Sequence, residues 1–173
     1  MPASYTPKTR GAMADQQSHS QTVETNMSAA QATVGDVLAI KGGDIIAIRP
    51  QDTVQHAVEI MSKNRIGVVL VKDAQGALCG ILSERDIVRQ LAQTPGQTLP
   101  KTVEALMTTD IKTTTADETL VTVLRRMTDG RFRHLPVMEG DALIGLISIG
   151  DVVNYRLTAL EYEALQLKQL IVG

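Results

Sequence analysis

The sequence predicts an α/β domain of two layered β-α-β-β-α repeats packed as a pair. Three observations lead there. A pattern of glycine, two aliphatic residues, serine, two variable residues and aspartate occurs twice, as Gly80-Ile81-Leu82-Ser83-Glu84-Arg85-Asp86 and as Gly145-Leu146-Ile147-Ser148-Ile149-Gly150-Asp151. The correspondence continues upstream: Pro50–Val54 lies opposite Ala116–Leu120, Met61 opposite Met127 and Val71 opposite Val137, so the chain carries an internal repeat. Within each copy, β-branched runs of strand length alternate with apolar residues at helical spacing. The offset changes by one residue where Asp73-Ala74-Gln75-Gly76 faces Glu139-Gly140-Asp141, a turn between strands that tolerates a deletion well.

Taken in order, residues 1–33 are rich in Gln, Ser, Thr and Ala without a sustained hydrophobic period, and read as a disordered arm. Repeat 1 spans 34–93. Val34–Leu38 opens it, Asp44–Arg49 is a short strand closed by Pro50, and Thr53 caps a helix carrying Val54, Ala57, Val58 and Met61. Ile66–Val71 and Ala77–Leu82 form a hairpin across Gly76, and Ile87–Ala92 is a second helix. Residues 94–100, with Pro95, Gly96 and Pro100, read as a linker. Repeat 2 spans 101–157: a short helix Val103–Met107, a strand Ile111–Thr115, a helix Thr119–Thr128 and a hairpin of Leu135–Met138 with Ala142–Ile147. A longer helix runs from Asp151 towards Val172, and its part from 158 to 173 is a helical extension. Units of about 60 residues bury too little surface to stand alone, so the two repeats are expected to pack on each other.

Composition excludes several function classes. A net charge of −2 argues against nucleic acid and against a polybasic membrane surface. The four aromatic residues, Tyr5, Phe132, Tyr155 and Tyr162, provide no stacking platform for single strands. The single cysteine, Cys79, precludes an intrachain disulfide and suits a reducing compartment, where its apolar surroundings make it a small core residue. No apolar run reaches the length of a membrane span, and the N-terminus has no signal-like apolar segment, so a cytoplasmic location is expected. No His, Cys, Asp and Glu set has metal-ligand spacing, and no nucleophile has a legible base, so neither metal nor enzymatic activity is expected.

The repeated motif places a buried strand immediately before a helix. Ser83 and Ser148 sit where they cap that helix, with Asp86 and Asp151 completing the first turn. The same turn offers unpaired N–H groups and a partial positive charge to an anionic ligand. The motif therefore reads either as two capping boxes or as two ligand sites. The glycine in both copies and the choice of Asp over Glu in both favour the ligand. Arg131, Arg133 and His134, three cationic or titratable groups in four positions, read as a phosphate contact in preference to a solvated turn. His56 and His19 carry no signal of this kind.

The order β-α-β-β-α, the paired motifs and Arg133-His134-Leu135-Pro136-Val137 together resemble a tandem cystathionine β-synthase (CBS) domain pair, over about Val34 to Leu157. The C-terminal extension resembles that of small bacterial stand-alone CBS-pair proteins. The resemblance implies a pseudo-twofold pair with two clefts holding adenosine compounds: AMP, ADP, ATP, S-adenosylmethionine or NAD(H). It implies that Asp86 and Asp151 accept from ribose hydroxyls, and that Ser83 and Ser148 face phosphate or ribose, with Arg85 among the phosphate contacts. It places Ile46, Ile81, Ile111, Ile147 and Pro136 around an adenine. The loop Arg131–His134 differs from its counterpart Arg65-Ile66-Gly67-Val68, so the two sites are expected to be unequal; which aspartate the loop serves stays open.

Leu157, Leu160, Ala164, Leu167 and Ile171 recur at alternating spacings of three and four, a heptad-like seam. With the flat dimers of the resembling family, it reads as a self-association surface, against the alternative of a helix packed on its own domain. The expectation is thus a non-enzymatic regulatory module, dimeric, that binds an adenosine ligand and passes a conformational change to a partner. The rivals are an assembly module with an empty cleft and, more weakly, an enzyme acting on a nucleotide.

Overall fold

A computed structural model of the chain describes residues 31–172. The elements are helix α1 (Val34–Lys41), strand β1 (Ala47–Ile48), α2 (Val54–Asn64), β2 (Val68–Lys72), β3 (Leu78–Ser83), α3 (Glu84–Gln93), a 3₁₀ turn at Val103–Ala105, α4 (Leu120–Gly130), β4 (His134–Glu139), β5 (Ala142–Ser148) and α5 (Ile149–Val172). β1 runs parallel to β2 and β2 antiparallel to β3; β4 and β5 form an antiparallel pair. This is a mixed α/β architecture of two repeats with a long C-terminal helix.

Several local devices recur in both repeats. Thr53 and Thr119, both extended, accept from the N–H groups of His56 and Thr122 and so cap α2 and α4. Val54, Ala57 and Met61 face inward from α2, as Leu120, Val123 and Met127 do from α4. Both helices end on an arginine in left-handed backbone, Arg65 at φ 54° and Arg131 at φ 55°. In both hairpins the register slips by one residue at the same point, Val71/Lys72 and Val137/Met138.

Each repeat lends its leading segment to the other. Val34 and Val37 of α1, with Ala32, join the core of Leu120, Val123, Met127, Leu135, Val137, Ile147 and Val152. Val103 of the 3₁₀ turn joins the core of Ile48, Val54, Ala57, Met61, Val69, Val71, Leu82 and Ile87. Backbone contacts fix the exchange: the Val34 N–H donates to Glu118 O (2.9 Å) and the Val103 N–H to Asp52 O (2.8 Å). The glycine of each motif is the contact point, since a Cβ at Gly80 would collide with Met107 and one at Gly145 would lie 2.9 Å from Leu38 Cδ2.

The structure departs from the sequence expectations in several places. The strand expected over Asp44–Arg49 is only Ala47–Ile48, and the helix expected over Val103–Met107 is a 3₁₀ turn at Val103–Ala105. The predicted arm reaches too far: residues 1–30 lie outside the described residues, but Ala32 is buried and Thr33 caps α1 in a reciprocal box with Asp36. The predicted strand Ile111–Thr115 is reduced to one parallel bridge, Thr114 with Val137. Side chains take over there, as Arg126 Nη2 donates to Thr113 O (2.8 Å) and Glu118 accepts from both Thr114 and Arg126. The stretch 94–100 is anchored, with Thr98 fully buried, bonded to Thr94 O (3.0 Å), and the Leu99 carbonyl accepting from Gln55 N–H. The packed units do not follow the expected boundaries 34–93 and 101–157, because of the exchanged segments.

Candidate functional site

A cavity of about 270 Å³ opens where β3 meets α3. It is lined from the first repeat by Gly67, Val68, Ile81 and Ser83–Asp86, with Arg89 one turn further along α3. The second repeat contributes Arg131, Phe132, Arg133 and His134, and Thr108 completes the wall. The Arg131–His134 loop therefore lies on the Asp86 side. Arg85 Nη1 donates to the Arg131 carbonyl (3.2 Å), tying the two repeats together across the mouth.

Ser83 and Asp86 form a reciprocal capping box. The Ser83 N–H donates to Asp86 Oδ2 (3.2 Å), the Asp86 N–H to Ser83 Oγ (3.3 Å), and the Ser83 hydroxyl to the same Oδ2. The cap engages Oδ2, and Arg89 Nη1 lies 3.8 Å from Oδ1. Of the first-turn donors, Glu84 N–H is already given to Gly67 O (2.9 Å) and Asp86 N–H to Ser83, which leaves that of Arg85. The helix start thus offers fewer free amides than the sequence suggested, and the cationic groups at the cavity are side chains. Four arginines against the carboxylates of Glu84 and Asp86 give the lining a positive excess.

His134 opens β4, pairs with Ser148 and stands between the two helix starts. Burial pushes its imidazole below the ordinary histidine range; the charges of Lys41 and Arg133 act the same way, while Asp151 and Glu84 oppose. It is therefore a neutral hydrogen-bonding group near neutral pH.

The second helix start repeats the box, with Ser148 N–H to Asp151 Oδ2 (2.8 Å) and Asp151 N–H to Ser148 Oγ (3.1 Å). Its surroundings differ. Lys41 Nζ, from the end of α1, lies 2.6 Å from Asp151 Oδ2 and donates to the Leu146 carbonyl (3.0 Å). Burial pulls the Asp151 carboxyl up, but hydrogen bonds from Lys41 and Ser148 and the Lys41 charge together outweigh it and hold it below the usual carboxylate range.

Of the residues expected in the ligand sites, Ser83, Arg85, Asp86, Ile81, Arg131, Arg133 and His134 line one cavity. The rest of the expected adenine wall is not brought to this cavity. Ile147 is fully buried in the second core. On a strand, neighbours alternate faces; Ile147 is the counterpart of the buried Leu82, and the counterpart of the cavity-facing Ile81 is Leu146. Pro136 is buried on β4, Ile46 packs on the first core and Ile111 is half-buried; none of the three lines the cavity. Sequence reasoning missed Glu84, Arg89 and Thr108, and it missed Lys41, whose partner is 110 residues away. The i, i+3 spacing of Asp86 and Arg89 was legible in principle; nothing local announces Lys41. The glycine of each motif, taken from sequence as a sign of a ligand, has the packing role described above. Among the described residues no group of three or more His, Cys, Asp or Glu side chains could hold a metal, and no helix is long and apolar enough to cross a membrane.

A family model described as the CBS domain matches residues 34–93 and 103–158. Among solved structures, the CBS-domain containing protein from Agrobacterium tumefaciens superimposes with a TM-score of 0.72 at 36% identity, covering 75% of this chain and 96% of that one. The CBS domain pair of protein MJ0100, solved in complex with 5′-methylthioadenosine and S-adenosyl-L-methionine, superimposes with a TM-score of 0.63 at 26% identity, covering 72% of this chain and 94% of that one. The Arabidopsis thaliana CBS domain-containing protein CBSX3, mitochondrial, is 35% identical over 130 residues, 70% of this chain. The matched stretch spans 63% of that relative's length.

Proposed function

This chain belongs to the CBS domain family, with two repeats, and from that premise we propose that it is a non-enzymatic regulatory module. It takes an adenosine-containing ligand, AMP, ADP, ATP or NAD(H), in the cleft at Asp86. One observation carries the reading: a single cavity joins the helix-start carboxylate of one repeat to the arginine loop of the other. A nucleoside phosphate would need both ends of it. Asp86 would accept from ribose hydroxyls, and a charged acceptor makes the stronger bonds. Arg131 and Arg133 would hold the phosphates. Ile81 and Val68 would supply apolar contact for the base. That a family neighbour binds adenosine compounds supports the class. Because the cavity walls come from both repeats, a ligand there would set their relative position, which is the change a partner protein or a second copy would sense.

The rival reading, an assembly module without nucleotide, draws on the capping boxes and packing glycines, which account for the motif without a ligand. A thermal-shift panel of AMP, ADP, ATP, NAD, NADH and S-adenosylmethionine separates the two. A ligand at a hundred times its dissociation constant adds about 2.7 kcal/mol of stability. A panel that leaves the melting temperature unmoved at millimolar concentrations favours assembly alone, and turnover of a bound nucleotide would make the protein an enzyme instead.

A further inference from the structure

The two repeats present the same Ser–Asp pair to different surroundings. In the first, the edge of β3 beside the cavity is satisfied by backbone: the Ile81 N–H donates to Thr108 O (3.0 Å) and its carbonyl accepts from Thr108 N–H (2.9 Å). In the second, the carbonyl of Leu146, the counterpart of Ile81, accepts from Lys41 Nζ, and the same ammonium rests on Asp151. One cation thus bridges the carbonyl and the carboxylate of the second site.

Packing delivers Lys41 there. α1 runs on to Lys41, whereas its counterpart in the second repeat is a single 3₁₀ turn followed by the bridge at Thr108. Leu38, one turn before Lys41, fills the space over Gly145. Gly42 reverses the chain at φ 86°, and Gly43 passes so close to β5 that a Cβ would stand 2.8 Å from the Ile144 carbonyl oxygen. The lysine stem is therefore launched from a fixed point beside Asp151.

We propose that Lys41 is an intramolecular occupant of the second repeat's site, so that the chain offers one open nucleoside site, at Asp86, and keeps the Asp151 site closed. The ammonium satisfies the acceptors that would otherwise receive the donor groups of a nucleoside. Being tethered, it competes at an effective concentration that a free ligand must exceed. Lys41 thereby sets the stoichiometry of the molecule.

The inference rests on reading the helix-start aspartates as nucleoside acceptors, and the test keeps the two apart. AMP and ADP are titrated by calorimetry into the full chain, into Lys41→Met, which keeps the aliphatic stem and loses the charge, and into Lys41→Met with Asp151→Ala. The expected stoichiometry is one per chain for the parent, two for Lys41→Met and one again for the double variant. Lys41→Gln serves as a second neutral variant, with thermal melts to show that each protein is folded. A parent that binds two equivalents, or neutral variants that bind no more than the parent, overturns the proposal. A parent that binds none defeats the function proposed for Asp86. In that case a single equivalent gained by Lys41→Met and lost with Asp151→Ala upholds the role of Lys41, and no gain overturns it.

Discussion

The Ser83–Asp86 box uses Asp86 Oδ2, so the proposed ligand must be served by the rest of the carboxylate without dismantling the cap. Asp86→Ala is expected to remove both roles. Losing a charged acceptor costs about 1.5–3 kcal/mol, roughly ten- to a hundredfold in affinity, and losing the box costs about 1 kcal/mol of stability. Calorimetry with AMP and a thermal melt measure the two separately; unchanged affinity in a folded variant removes Asp86 from the site. His134 gives the molecule a pH dependence of predictable sign. Its pKa is lower folded than unfolded, so the unfolded chain binds the extra proton and stability rises with pH. The contribution is complete above the unfolded value of about 6.5 and is lost as the pH falls through the lower folded value. Urea midpoints measured from pH 7.5 down to pH 5 should fall less for His134→Gln than for the parent; equal slopes would show that burial of this imidazole is not felt. The composition of this site was legible in the sequence, because a serine, an aspartate and an arginine loop announce themselves by residue type. Which residues meet was not: Lys41 and Asp151 are adjacent only through the packing of α1 on β5.

At the scale of the element, the helix and strand pattern was readable because each piece carries its own signals. Thr53 and Thr119 announce helix starts, and the runs Val68–Val71 and Leu135–Val137 announce buried strands. The sequence is least decisive where one residue of register or one tertiary contact decides. Ile147 and Leu146 are both aliphatic, and only the pleat tells which one faces the core. The stretch Ile111–Thr115 is β-branched enough for a strand, yet Arg126 and Glu118 capture its polar groups. The motif glycines test the packing account directly. Gly80→Ala places a methyl on Met107, and overpacking of this kind costs about 1–3 kcal/mol. Met107→Ala in the same chain should recover much of that loss, because the two side chains contend for one space. Chemical denaturation of the two single variants and the double variant gives the coupling, and strict additivity would show that the glycine is not there to admit Met107.

At the scale of the whole molecule, the exchanged segments make the two repeats one cooperative body, while the seam on α5 looks outward. Leu157, Leu160, Leu167 and Ile171 are 53%, 49%, 61% and 83% exposed. The side chains turned toward the domain are instead Ile149, Val152 and Tyr155, all set against the second core. The seam expected from sequence is therefore not the surface by which the helix packs on its own domain. Leaving such a stripe in water is unfavourable, at about 25 cal/mol per Å² of apolar surface, and a second copy of the helix laid along the seam would cover it in the manner of a coiled coil. Leu160→Glu with Leu167→Glu puts two charges in the stripe without touching either core. The expected result of sedimentation velocity is a dimer for the parent and a monomer for the variant, with a melting temperature that depends on concentration for the parent and not for the variant. A variant that remains dimeric would move the contact to exposed apolar positions on other helices, such as Ile40 on α1, Val58 on α2 and Val88 on α3.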